Sequence, residues 1–122
     1  MYLLEKRFID KYTFFERKTE SSKIMAKYPD RFPIICERNL RDIATPHIDK
    51  HKYLLPFGTT LGHFIQVIRK RINLPASSAL FLFVGDNNTI FPIDTKIEDI
   101  YCRFKNLDGF LYIVYSMENV FG

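Results

Sequence analysis

Between Leu61 and Ile72 the apolar residues Leu61, Phe64, Ile65, Ile68 and Ile72 recur at intervals of three and four, the period of one helical face. Thr59 or Thr60 precedes them as an N-cap, whose side-chain oxygen accepts an otherwise orphan N–H of the first turn. The opposite face carries Arg69, Lys70 and Arg71. Elsewhere the pattern is shorter. Residues 31–38 and 51–55 read as strands, the second closed by Pro56, with a polar connection over 39–49 that contains Pro46. Residues 79–84 and 110–115 are apolar at both parities, and the turns Gly85–Asn88 and Asp108-Gly109 set them off. Thr95-x-x-Glu98 predicts a capping box for a short helix bearing Ile97, Ile100, Tyr101 and Phe104. Two helices are expected first, over 4–12 and 14–27. The second ends at Tyr28 because a residue before proline is pushed out of the helical region. Residues 116–122 show no periodicity and are expected to project.

Strands apolar on both parities imply a sheet covered on both faces, since a sheet with one wet face alternates. The helix over 61–72 covers one face and the N-terminal pair the other. A ββαβαβ order around one strong helix predicts an α+β fold, the ubiquitin-like β-grasp with two extra N-terminal helices. Its first and last strands then lie side by side in the middle. The expected organisation is a helical pair over 1–28, a β-grasp core over 29–116 and a tail over 117–122.

Composition fits one such unit. The 122 residues, 47% hydrophobic with a mean hydropathy of −0.12, suffice for one packed core. No run of about 18 apolar residues is present, and Met1–Arg7 breaks into charge before a signal-peptide core can form. Cys36 and Cys102 are the only cysteines, so a reducing cytosol is the expected setting. Twelve Phe and seven Tyr without Trp supply more aromatic area than usual, for a core or for a groove.

Charge is distributed unevenly. The net formal charge is +4, yet residues 72–122 carry −3, which leaves +7 on the first 71. The excess includes Lys23, Lys27, Arg31, Arg38, Arg41, Lys50, Lys52 and Arg69–Arg71. An anionic partner is implied, whether acidic peptide, lipid headgroup or nucleic acid.

No catalytic constellation is visible. The two cysteines lack CxxC spacing, and His47, His51 and His63 lack metal-ligand spacing. Gly58 and Gly62 form neither GxGxxG nor a P-loop, and a calcium loop starting at Asp86 would place Ile97 at its bidentate position. No catalytic residue, metal or cofactor is expected. Two features remain. The second strand presents Lys50, Lys52 and Leu54 on one face and Tyr53 and Leu55 on the other, and reads as an edge strand open to addition of a partner's strand. The chain also ends in Phe121-Gly122, whose carboxylate has no Cβ beside it and suits activation and transfer to an amine.

Several blocks in order resemble the autophagy ubiquitin-like modifier family, the Atg-eight, GABARAP and light-chain-three proteins. They are Phe15-Glu-Arg-Lys-Thr-Glu-Ser, Tyr28-Pro-Asp-Arg-Phe-Pro-Ile-Ile-Cys-Glu, Ile48-Asp-Lys-His-Lys-Tyr-Leu-Leu-Pro, Ile68-Arg-Lys-Arg-Ile, Leu80-Phe-Leu-Phe-Val, Asp108-Gly-Phe-Leu-Tyr and Phe121-Gly122. The resemblance implies conjugation through Gly122, with Phe121 in the recognised tail, to phosphatidylethanolamine. It implies as partners an E1-like activating enzyme, an E2-like conjugating enzyme and a cysteine protease that processes or deconjugates the modifier. A cytoplasmic protein with a lipid-conjugated pool on autophagosome membranes follows. With nothing after Gly122, the chain is expected to be ready for activation or already trimmed.

The resemblance also implies recognition of aromatic-x-x-aliphatic peptides in cargo receptors and adaptors. The aromatic pocket then involves Glu20, Ile24, Pro33, Ile35, Lys52, Leu54 and Phe110, and the aliphatic pocket Tyr53, Pro56, Phe64 and Val67. Arg31, Lys50 and Arg71 attract acidic flanks. Three departures bear on this: Thr59 stands where a leucine is usual, Phe57-Gly58 replaces a polar pair, and the Gly85–Ile93 turn is longer. The alternative is a non-conjugated β-grasp module using its basic face on acidic peptides, tubulin or RNA. No aromatic-rich RNA motif is present, so no nucleic acid is expected, and the protein is expected to be monomeric.

Overall fold

A computed structural model describes residues 6–119. Its elements are α1 (Phe8–Lys11), α2 (Phe14–Lys27), β1 (Arg31–Arg38), β2 (Lys52–Pro56), α3 (Leu61–Arg71), β3 (Phe81–Val84), α4 (Ile97–Phe104) and β4 (Leu111–Ser116). The sheet order is β2-β1-β4-β3. β1 and β4 run parallel in the centre, and β2 and β3 flank them antiparallel. This is the β-grasp arrangement expected from the order of elements.

Period-two alternation divides the central strands between two cores. Ile34, Cys36, Leu111, Ile113 and Tyr115 face α3 and α4 and pack with Leu61, Phe64, Ile68, Ile97 and Ile100. Ile35, Phe110 and Tyr112 face the other way, against Phe8 of α1 and Ile24 of α2. The N-terminal helices thus cover the second face, and strands apolar on both parities are the consequence. Pro33 fits within β1 because β4 begins opposite Ile34, so the missing N–H forfeits no ladder bond to β4.

Thr60 caps α3 as expected, accepting the His63 N–H at 3.2 Å. The capping box expected at Thr95 does not form. The N-cap of α4 is Lys96, without a side-chain cap. Tertiary pairing takes over there: the Thr95 carbonyl accepts the Leu61 N–H at 2.9 Å, and Glu98 accepts the Gly58 N–H at 3.0 Å. A reciprocal capping box occurs instead at Thr13 and Glu16, at the start of α2. Of the helix expected over 4–12, residues 4 and 5 lie outside the described residues and 8–11 are helical. Ser116 ends β4 and the Met117 N–H is hydrogen-bonded to the Asn39–Pro46 loop, so these two residues belong to the globule and not to a projecting tail.

Asp108 fastens α2 to the start of β4. Its carboxylate accepts from Arg17 Nη1, the Tyr112 hydroxyl and the Phe110 N–H, and its carbonyl accepts from Ser21 Oγ. Burial opposes the charge on Arg17, yet its bonds to Tyr112 and Asp108 raise its pKa. Burial, followed by the bond to Asp108, raises that of Tyr112.

Candidate functional site

β2 is an edge strand, as the sequence predicts. Backbone bonds Cys36 N–H to His51 O and Phe57 N–H to Asp30 O fix which of its residues bond inward to β1. Bonded pairs alternate in an antiparallel ladder, so the peptide groups of Lys52 and Leu54 point away from β1 toward the free edge. The same two residues place their side chains on the α1/α2 face, while Tyr53 and Leu55 enter the α3 core. One short strand therefore offers outward-facing hydrogen-bonding groups, of which Leu54 O accepts from Arg31 Nη1 at 3.5 Å, and a lined groove together.

The groove is a cavity of about 640 Å³. Phe8, Ile35 and Leu54 supply its apolar lining, and Lys11, Arg31, Lys50 and Lys52 its positive charge. Glu37 is the one acidic residue of the lining, and its Oε2 already accepts the Phe8 N–H at 2.9 Å. Lys52 Nζ is paired with the Glu20 carboxylate of α2 and lies 5.9 Å from the centre of the Phe8 ring. Both ends of that ion pair are more than a third exposed, so its strength is limited and salt screens it.

The structure brings Glu20, Ile35, Lys52 and Leu54 together at this groove. Ile24 and Phe110 lie behind it: Phe110 is fully buried and meets Phe8 edge-on at 5.1 Å. Pro33 pairs with Leu54 on the neighbouring strand. Tyr53 and Phe64 belong to the main core instead, their rings 5.3 Å apart and nearly inaccessible. Burial raises the pKa of the Tyr53 phenol, whose O–H donates to Lys50 O. The accessible members of that second set are Pro56 and Val67. Thr59 does not add an apolar wall there; its hydroxyl donates to Pro56 O at 2.7 Å.

Among the basic residues, Lys50 Nζ lies 5.2 Å from the Tyr53 ring centre. Arg71 is held by both carboxylate oxygens of Asp49, at 3.0 and 3.2 Å, and that bond lowers the pKa of Asp49. Any anion reaching Arg71 therefore competes with Asp49. Phe57 stays exposed beside Phe32, at 6.5 Å between ring centres.

Sequence reasoning missed Phe8, Lys11, Tyr12, Glu37 and His51 as parts of the groove. A signal existed for two of them: Glu37 follows Pro33 and Ile35 on one parity of β1, and Phe8 is an isolated aromatic among charges. Phe121 and Gly122 lie outside the described residues. Among the described residues, no three His, Cys, Asp or Glu side chains gather as a metal set, and no helix is long and apolar enough to cross a membrane.

Comparison with known proteins converges on one group. The family model described as "Autophagy protein Atg8 ubiquitin like" matches residues 16–122. Autophagy-related protein 8 of Pichia angusta is 46% identical over 119 residues, covering 98% of this chain and 93% of that protein. The protein of the same name from Schizosaccharomyces pombe is 48% identical over 120 residues, covering 98% and 96%. The crystal structure of Trypanosoma brucei ATG8 superposes with a TM-score of 0.83 at 37% identity, over 93% of this chain and 95% of that one.

Proposed function

This chain belongs to the Atg8 family of ubiquitin-like autophagy proteins, and on that premise we propose that it is a modifier conjugated through Gly122 to phosphatidylethanolamine. In this reading the chain is the substrate of catalysis and not a catalyst. A carboxylate oxygen of Gly122 attacks the α-phosphorus of ATP and pyrophosphate leaves. A cysteine thiolate of the E1-like enzyme displaces AMP, and a thiolate of the E2-like enzyme displaces that of the first. The lipid amine then attacks the thioester carbonyl, forming an amide and releasing the thiol. Glycine suits every transfer because no side chain crowds the acyl carbon. A cysteine protease hydrolyses the amide and returns the modifier from autophagosomal membrane to cytoplasm.

The second half of the proposal is recognition of aromatic-x-x-aliphatic peptides in cargo receptors and adaptors. The observation that carries it is the outward-facing backbone of Lys52 and Leu54 on an edge strand beside the 640 Å³ groove. A partner strand added there gains backbone bonds, and its aromatic side chain enters the groove lined by Phe8, Ile35 and Leu54. Burying that side chain supplies roughly 1.5–3 kcal/mol. The basic rim mainly raises the association rate and selects acidic flanks.

Intact-mass analysis of the protein extracted from cell membranes tests conjugation. The expected mass is that of the chain plus one phosphatidylethanolamine less one water. Only unmodified protein on autophagosomal membranes would overturn the reading.

A further inference from the structure

The end of β4 is fastened to the loop over 39–46, which supplies no residue to the groove lining. Asp42 Oδ2 accepts hydrogen bonds from Ser116 Oγ at 2.7 Å, the Met117 N–H at 3.1 Å and the Thr45 hydroxyl. Thr45 Oγ1 accepts the same Met117 N–H at 2.9 Å. Asp42, Thr45 and Ser116 are 4%, 1% and 0% exposed, so these polar groups are buried only because they satisfy one another. The loop is itself braced: Arg38 Nη1 donates to Asp42 O and the Tyr115 hydroxyl to Pro46 O, each at 2.8 Å. Burial opposes the charge on Asp42, yet its donors, the Ala44 N–H among them, hold it below the usual carboxylate range.

The position of this clasp gives it a consequence. Gly122 lies five residues beyond Met117, a span of at most roughly 17 Å fully extended. Nucleophile and acyl carbon must meet within about 3–3.5 Å. A tether that short has little slack, so releasing its root by even a residue or two changes where its tip can reach.

We propose that Asp42 is a positioning residue for the chemistry at Gly122, its carboxylate clasping Ser116 and Met117 and so fixing where and in which direction the last five residues leave the globule. The proposal rests on the conjugation reading. It adds a requirement that lies away from the groove: the globule must hold the root of its tail still while an enzyme works on the tip.

Steady-state loading of the E2-like enzyme, in a reaction reconstituted with ATP and the E1-like enzyme, tests it on the full chain. Asp42→Ala is expected to lower kcat about tenfold and leave KM within twofold. Amide exchange should show protection lost at the Met117 N–H, with affinity for an aromatic-x-x-aliphatic peptide within twofold of wild type. Asp42→Asn keeps an acceptor oxygen and is expected to recover part of kcat. Should Asp42→Ala fail to fold, Ser116→Ala removes one leg of the clasp and is expected to lower kcat about threefold. Wild-type kcat in a variant whose Met117 amide exchanges freely would overturn the clasp alone, as would retained protection in Asp42→Ala. A rise in KM with unchanged kcat would overturn it as well, since it makes the loop a docking contact. Failure of the wild type to load would overturn the conjugation reading and the clasp with it.

Discussion

Lys52 of β2 and Glu20 of α2 form an ion pair that spans the groove between sheet and helix. The pair can open for a ligand at little cost, because exposed pairs contribute at most about 1 kcal/mol. In the proposed reading Lys52, once released, meets an acidic residue of the incoming peptide. The pair is therefore read as a latch on the groove and not as a structural tie.

Lys52→Glu sets a second carboxylate beside Glu20 and removes a cation from the rim. Affinity for an acidic-flanked aromatic-x-x-aliphatic peptide is expected to fall about tenfold or more by calorimetric titration, with the melting temperature nearly unchanged. Raising salt from about 50 to 200 mM should weaken wild-type binding only a few fold. An RNA ligand held by six or more phosphate contacts would lose about a thousandfold over that range. Unchanged affinity in Lys52→Glu would remove the latch from the binding site.

Leu54→Ala keeps the open backbone edge and removes apolar lining. The loss expected is about 1–2 kcal/mol, roughly tenfold in Kd. Val67, 42% exposed on α3, is with Pro56 an accessible apolar member of its set, and Val67→Asp should weaken peptides at their aliphatic position more than at their aromatic one. Titrating peptides truncated at either position separates the two effects. If both variants bind as wild type does, the groove is not where the peptide sits.

Much of this site was legible in the sequence because it follows from period two. Once residues 52–56 form an edge strand, Lys52 and Leu54 must share a face, and Ile35 joins them by pairing with Lys52. Parity alone also separates Tyr53 from that face and turns it toward Phe64 in the core, although the resemblance assigns both to a peptide pocket. What could not be read is tertiary. The contribution of Phe8 depends on α1 folding back over Ile35 and Phe110. The capping box expected at Thr95 gave way to tertiary bonds: Glu98 accepts from Gly58, 40 residues earlier, and the Thr95 N–H donates to Pro92 O. The Asp42 clasp joins residues more than 70 positions apart and leaves no local pattern.

Gly109 has φ near +90°, and a Cβ there would stand 2.4 Å from Ser21 Oγ. Gly109→Ala therefore suffers backbone strain and a clash with α2 together, about 2–3 kcal/mol, or roughly 10 °C in Tm. Ser21→Gly removes the clashing hydroxyl and also its bond to Asp108 O, so the comparison is a double-mutant cycle: Gly109→Ala should cost less in Ser21→Gly than in wild type, leaving the strain. An equal cost in both backgrounds would show that the contact with Ser21 is not the cause.

The Asp42 carboxylate carries a sign that thermal melts can read. Its folded pKa is lowered, so it contributes stability that is fully present above about pH 4, its ordinary range. That contribution is lost as pH falls through the folded value. Asp42→Asn should melt about 5 °C below wild type at pH 7, and the two should converge as acid protonates the wild-type carboxyl. A gap that is constant from pH 7 to pH 2 would mean that ionisation of Asp42 does not matter to the clasp.

Gly122→Ala separates the two halves of the proposed function. The substitution lies at the far end of the chain from the groove lining, so peptide affinity and Tm should match wild type. At the acyl carbon the change is large. A methyl group beside the carbonyl crowds the approach of ATP, thiolate and amine in turn, and a modest barrier at each of several successive transfers multiplies. Conjugation to phosphatidylethanolamine liposomes in the reconstituted reaction is therefore expected to disappear, with ATP consumption by the E1-like enzyme reduced at the first step. Normal lipidation of Gly122→Ala would refute attachment through Gly122. Equal loss of peptide binding would show instead that the tail and the groove are not independent.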